Sequence, residues 1–286
     1  MIVQPGCHSC VKKQAETLAL HACSDENINA ALHQEFKDFF DNMAKCNTPP
    51  EMASYYFRRY SEVSGIIDPF REEKDKSTAL ALKLMPLLRQ MVEAADDPFA
   101  TAVKIASSSN IIDYGVVPDL QLEEAESAIT AALSSPIDPA AVKMLESQAK
   151  SAEKILYILD NCGEAVLDKL LLDQLPAGRV TLGVRGRFIL NDVTRREVPM
   201  SGLGNFPVID TGDGAPGVSL RDSAPEFLAA MAESDLIIAK GQGNFESLES
   251  GFTAKPIFYL FRVKCKVISE TFALPLDSLQ IRAHNL

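Results

Sequence analysis

From Val11 to about Gln90 the chain has a helical pattern, rich in Ala, Leu, Glu, Lys and Gln, with turn signals at Thr48-Pro49-Pro50, Gly65 and Asp68-Pro69. Strand-like runs are almost absent, so residues 1–96 are expected to form an all-helical domain. Pro49-Pro50-Glu51 would open a helix running through Met52, Tyr55, Tyr56 and Arg59, because proline is tolerated in a first turn. Pro86 is expected to kink or divide the helix over Ala79 to Glu93.

Beyond residue 97 the character changes. Helical stretches over 119–133 and 138–150 give way after Lys154 to short apolar runs alternating with helices. The strands predicted are 155–159, 179–184, 187–190, 207–209, 235–239 and 256–260, and the helices between them 164–174, 223–233 and 244–249. Strand-helix alternation predicts a mostly parallel sheet with helices on its faces, so residues 97–286 are expected to form an α/β domain. Ser201 to Gly217, rich in Gly and Pro, reads as a long loop of the kind that often carries function, for instance as a lid.

The candidate chemistry lies where apolar runs stop. Ile155 to Leu159 ends at Asp160-Asn161, Phe188-Ile189-Leu190 at Asn191-Asp192-Val193-Thr194, and Leu236 to Ala239 at Lys240-Gly241-Gln242-Gly243-Asn244. Asn110 and Asp113 bracket Ile111-Ile112 ahead of Tyr114-Gly115. Open α/β sheets bind ligands beyond the carboxyl ends of their strands. If these segments adjoin, carboxylates, amides and an ammonium share one rim, which suits a divalent metal holding a phosphorylated substrate. Each segment also has a plainer reading. Asp160 and Asp192 can cap helices, and Lys240 to Asn244 can be an ordinary strand-to-helix turn, since it lacks Walker A spacing. Arg179, Arg185, Arg187, Arg195 and Arg196 form a basic run that is read as a solvated face contributing one or two residues to the site. Lys264 is a better secondary candidate than any single one of them.

Composition narrows the classes. A 286-residue chain with 47% hydrophobic residues can bury a large core, and a formal charge of −11 argues against a generic nucleic-acid binder. No secretory start and no membrane-length apolar run is visible, so a cytoplasmic enzyme or binding protein is expected. The six cysteines are too sparse for a disulfide scaffold. Cys7-His8-Ser9-Cys10, with His21 and Cys23 further on, has the spacing of half a zinc site; a reduced thiol pair near a helix start is the competing reading.

Taken together, Cys7-x-x-Cys10, Asn110-Ile-Ile-Asp113-Tyr-Gly115, Asp160-Asn161-Cys-Gly-Glu164, Asn191-Asp192-Val-Thr194 and Lys240-Gly-Gln-Gly-Asn244-Phe-Glu246 form a set that resembles one family. It is the metal-dependent damage-control phosphatases, long known as domain of unknown function eighty-nine, in their prokaryotic branch with an N-terminal cysteine pair. The resemblance implies a helical N-terminal domain joined to a Rossmann-like domain. It implies metal ligation by Asp160, Asn161 and Asp192, and substrate contacts from Lys240, Asn244 and Lys264, with Asn110 and Asp113 lining the pocket. Arg262-Val263-Lys264 approximates the Arg-Thr-x-Lys signature of the family's eukaryotic branch.

The activity expected is hydrolysis of small phosphomonoesters, such as sugar phosphates or damaged phosphometabolites, with one divalent cation (Mg, Mn, Co or Ni). Asp160 and Lys240 would be catalytic, with either water or Asp160 itself as the nucleophile. The alternatives are a non-catalytic binder of nucleotide or sugar phosphate on the same rim, and a redox or zinc-dependent interaction protein centred on Cys7 and Cys10. Neither nucleic acid nor membrane is expected as a partner, and the sequence leaves the oligomeric state open.

Overall fold

The computed structural model describes residues 1–22, 26–41, 48–108, 122–250 and 255–286. At its N-terminal end, α1 (Pro5–Ala22), α2 (Glu26–Asp41) and α3 (Pro49–Ser64) enclose a core that includes Val11, Leu18, Leu32, Phe36, Tyr56 and Tyr60. The start of α3 follows from its sequence. Thr48 Oγ1 accepts from Glu51 N–H at 3.4 Å, and the Glu51 carboxylate accepts from Thr48 N–H at 3.3 Å, a reciprocal cap with proline in the first turn. Gly65, at φ 73°, ends the helix in the left-handed region. Thr48→Ala should therefore lower stability by about 1 kcal/mol, measurable by urea denaturation.

α4 (Arg71–Glu93) runs as one helix through Pro86, so of the expected kink or division the division does not occur. Pro86 and Leu82, whose carbonyl loses its helical donor, are both exposed, so water can take the place of that bond. α4 and α5 (Pro98–Ser108) pack on α8 (Cys162–Leu172), which covers the sheet, so the boundary expected near residue 96 falls between two helices that share one partner. α6 (Leu122–Leu133) and α7 (Pro139–Ser151) complete this helical layer.

The sheet contains β1 (Ile155–Ile158), β2 (Val180–Val184), β3 (Val208–Asp210), β4 (Leu236–Lys240), β5 (Ile257–Arg262) and β6 (Leu279–His284), in the order β3-β2-β1-β4-β5-β6. Five strands are parallel and β6 is antiparallel to β5. β1 and β4 are buried at every position, as expected of parallel strands covered on both faces. α9 (Glu197–Met200), α10 (Pro225–Glu233) and α11 (Gln242–Leu248) lie in the connections between parallel strands, and α12 (Lys266–Phe272) in the antiparallel connection from β5 to β6. β6 and α12 carry no expectation from the sequence pattern.

The strand expected over 187–190 is a loop. Gly186 lies so close to Gly212 that a Cβ there would sit 2.3 Å from the Gly212 nitrogen, and Leu190 has φ 44°, so the chain turns instead of extending. The loop returns to the sheet through single bridges, Asn161 with Asp192 and Arg185 with Thr194.

Candidate active site

The strand order reverses between β1 and β4, and the carboxyl ends of two such strands leave a crevice where open α/β sheets bind ligands. β1 delivers Asp160 and Asn161 to this crevice, and β4 delivers Lys240 and Gly241. The two turns touch. Gly241 has φ 80°, and a Cβ on it would lie 1.9 Å from Asp160 Oδ2, so glycine is required both for the turn and for the space Asp160 occupies.

Asp192 reaches the same place from the 185–194 loop and not from a strand end. Val193 N–H donates to Asp160 O at 2.8 Å and Cys162 N–H to Asn191 O at 2.9 Å, which fixes Asp192 beside Asn161. Arg185, fully buried just past β2, joins these parts. Its Nε donates to Asp192 Oδ2 at 2.7 Å and its Nη1 to Asn244 Oδ1 at 3.1 Å, while Nη2 lies 3.7 Å from Asp160 Oδ1. Arg185 was one member of a basic run in the sequence. Its position directly after a buried strand is the signal that could have set it apart from the other four, which are exposed or half-buried.

A second buried network starts at Asn161. Asn161, and not Asp160, stands at the N-cap of α8, and it makes no side-chain cap bond, so the capping reading of Asp160 does not hold. Asn161 Nδ2 donates to Glu164 Oε1 at 2.6 Å and Asp160 Oδ2 at 3.3 Å, leaving its carbonyl oxygen as the acceptor. Lys240 Nζ donates to Asp168 Oδ1 at 2.7 Å and lies 3.4 Å from Glu164 Oε2, with all three side chains buried. Lys240 thus meets Asp160 and Asn161 through Glu164. Glu164 and Asp168 lie one turn apart on α8, a helical spacing that placed them on the lysine's side.

The charges respond to this burial. Asp160 is pushed well above the ordinary carboxylate range by desolvation and by the charges of Glu164 and Asp192, with Arg185 and Lys264 opposing. Asp192 is also raised by burial, against the pull of Arg185. Asp168 is pushed up to about 6, again by burial, with Lys240 opposing.

Of the other expected residues, Asn244 is fully buried. It ties the strand ends together by donating to Lys240 O at 2.6 Å and Leu159 O at 3.4 Å. Lys264 is exposed, its N–H donates to Gln242 Oε1 at 2.9 Å, and its charge acts on Asp160. Asn110 and Asp113 lie outside the described residues. Cys7 and Cys10 are free thiols near the start of α1. Among the described residues no group of three or more His, Cys, Asp or Glu side chains is placed to hold a metal. The donor set at the crevice is two carboxylates and one amide oxygen, all hard ligands.

A cavity of about 700 Å³ opens beside the crevice, between α3 and the 185–214 loops, with Arg58, Arg185, Arg187 and Asp213 in its wall. It meets the site through Arg185; Asp160 and Asp192 do not line it. No helix among the described residues is long and apolar enough to cross a membrane.

A family model described as the damage-control phosphatase ARMT1-like domain matches residues 3–278. A damage-control phosphatase of Pyrococcus horikoshii is 32% identical, covering 98% of this chain and 97% of its own length. One of Archaeoglobus fulgidus is 30% identical, covering 98% of both chains. The crystal structure of a DUF89 family protein from Pyrococcus horikoshii superposes with a TM-score of 0.86 at 30% identity, over 98% of each chain.

Proposed function

Since this chain belongs to the ARMT1-like damage-control phosphatase family, we propose that it is a metal-dependent phosphatase of small phosphomonoesters, sugar phosphates or damaged phosphometabolites among them. The observation that carries this reading is the meeting of Asp160, Asn161 and Asp192 at the β1/β4 crevice, beside a buried arginine. Two carboxylates and an amide oxygen fit a hard divalent cation such as Mg, Mn, Co or Ni. Bound there, the cation would polarise a phosphoryl oxygen.

The chain's own residues supply the rest. Arg185 Nη2, with no hydrogen-bond partner, is available to a phosphoryl oxygen. Lys240 holds Glu164, which orients Asn161, so its charge is felt at the site without direct contact. Lys264, exposed at the rim, adds a cation that a phosphate dianion can approach. Asp160 is positioned either to orient the attacking water or to act as the nucleophile. Asn110 and Asp113 complete the substrate contacts in this reading, and the protein works in the cytoplasm.

The test is a phosphate-release screen over sugar phosphates, nucleotides and cofactor phosphates, with each of the four metals and with chelator. Asp160→Ala and Asp192→Ala should each lose at least about 100-fold in turnover, the scale of removing one transition-state contact. Full activity in either variant, or in chelator, would refute the assignment. A protein that is stabilised by about 2.7 kcal/mol at a hundredfold excess of ligand over Kd, yet releases no phosphate, is instead a phosphate-ester binder.

A further inference from the structure

Two charged residues in the wall of the cavity carry buried atoms with no hydrogen-bond partner. Asp213 is 8% exposed, and neither of its carboxylate oxygens has a hydrogen-bond partner; Arg185 Nη2, also buried, has none. The nearby Thr211 hydroxyl, which donates to the Asp213 main-chain oxygen at 3.1 Å, and the charge of Arg185 offset only part of the rise that burial imposes on the Asp213 carboxyl. A buried polar group left unpaired is costly, and more so when charged. One ligand can relieve both only if it brings an anionic oxygen to the guanidinium and a hydrogen-bond donor to the carboxylate.

The cavity offers room for such a ligand. Its volume of about 700 Å³ lies within the range of pockets that enclose small organic molecules and far exceeds what a phosphate group occupies. Arg185 belongs to both places, touching Asp192 at the crevice and lining the cavity with Asp213. A substrate whose phosphate met Arg185 would have room for its remaining portion along Asp213.

We propose that Asp213 is a specificity-determining residue that accepts a hydroxyl from the polyol or sugar portion of the substrate, while Arg185 Nη2 takes an oxygen of the phosphate. This rests on the phosphatase reading above, and it names what that reading leaves open: which residue recognises the part of the substrate that is not phosphate. A purely structural role for the carboxylate is poorly matched by its contacts. The loop is held by the Asp213 main-chain oxygen, which accepts from Gly186 N–H and Arg187 N–H at 2.9 Å each. Both bonds survive any side-chain change.

The experiment compares kcat/KM for hexose, pentose and glycerol phosphates with that for phenyl phosphate, which has no hydroxyl to offer, in the wild type, Asp213→Asn and Asp213→Ala. Asp213→Ala should lose roughly 10- to 100-fold on the best hydroxylated substrate, mainly through KM, and less than about threefold on phenyl phosphate, with Asp213→Asn in between. Equal losses on both substrate types overturn the proposal, as does a wild type that prefers phenyl phosphate to every hydroxylated ester. If no ester is hydrolysed, the phosphatase reading fails, and thermal stabilisation by the same compounds decides the role of Asp213. Stabilisation by the hydroxylated esters alone, lost in Asp213→Ala and partly kept in Asp213→Asn, supports it; stabilisation that does not depend on residue 213 overturns it.

Discussion

Lys240→Met should cost about 3–5 kcal/mol of stability at pH 8, the scale of removing one partner from a buried ion pair. Lys240 Nζ is the cation next to Asp168 at 2.7 Å and Glu164 at 3.4 Å, and both acids are closed to solvent. Burial alone would lower the lysine, but the charges of Asp168 and Glu164 outweigh it and hold Lys240 above its ordinary value. Its own charge is therefore constant through the neutral range, and Asp168 is the source of a pH dependence. Asp168 already sits at about 6 in the folded protein, against an unfolded value of about 3.9. An acid raised in this way holds its proton more tightly when folded. Its contribution to stability is complete below about pH 4 and is lost as pH rises through about 6. Without Lys240 that rise is larger, so the variant's deficit should shrink between pH 8 and pH 5 as Asp168 takes up its proton. Urea denaturation at both values checks this. A deficit below about 1 kcal/mol at pH 8, or one that does not change with pH, would show that the lysine is not neutralising these acids.

Gly241→Ala should lower phosphate release by at least about 100-fold, since displacement of a reacting group by about an ångström is enough for such a loss. The added methyl meets Asp160 Oδ2 at 1.9 Å, at a backbone φ of 80° that side chains rarely adopt. Either Asp160 moves out of the crevice or the β4 turn does. Backbone strain of this kind costs roughly 1–3 kcal/mol, so melting curves should shift while the fold survives. Steady-state kinetics on the best phosphoester, set beside those melts, separates the two effects. Near wild-type rates would mean that the position of Asp160 is not what sets turnover.

Much of this architecture could be read from the chain. The apolar runs at 155–159 and 235–239 have the unbroken character of strands covered on both faces, and they become β1 and β4 at the centre of the sheet. The breaks after them, at Asp160-Asn161 and Lys240-Gly241, are turns in the structure and lie against each other. Local pattern was less informative where tertiary contacts override it. Residues 187–190 are as apolar as a strand but are bent away by the close approach of Gly186 to Gly212. Pro86 would break an isolated helix, but it lies on the exposed face of α4, where water can satisfy the freed carbonyl.

The sequence by itself determined most of the elements from β1 to β5 and their order, and the oxygen-rich side chains at the strand ends, because hydrophobic periodicity and turn chemistry act over a few residues. Only the tertiary structure decided which of those side chains meet. Strand order placed β1 beside β4, a returning loop brought Asp192 to Asn161, and burial turned Arg185 from one of five arginines into the residue that joins Asp160, Asp192 and Asn244. The electrostatic environment was decided at the same level, because a carboxylate's proton affinity depends on the water removed from around it and on the charges packed against it, and neither is a property of neighbouring positions in the chain.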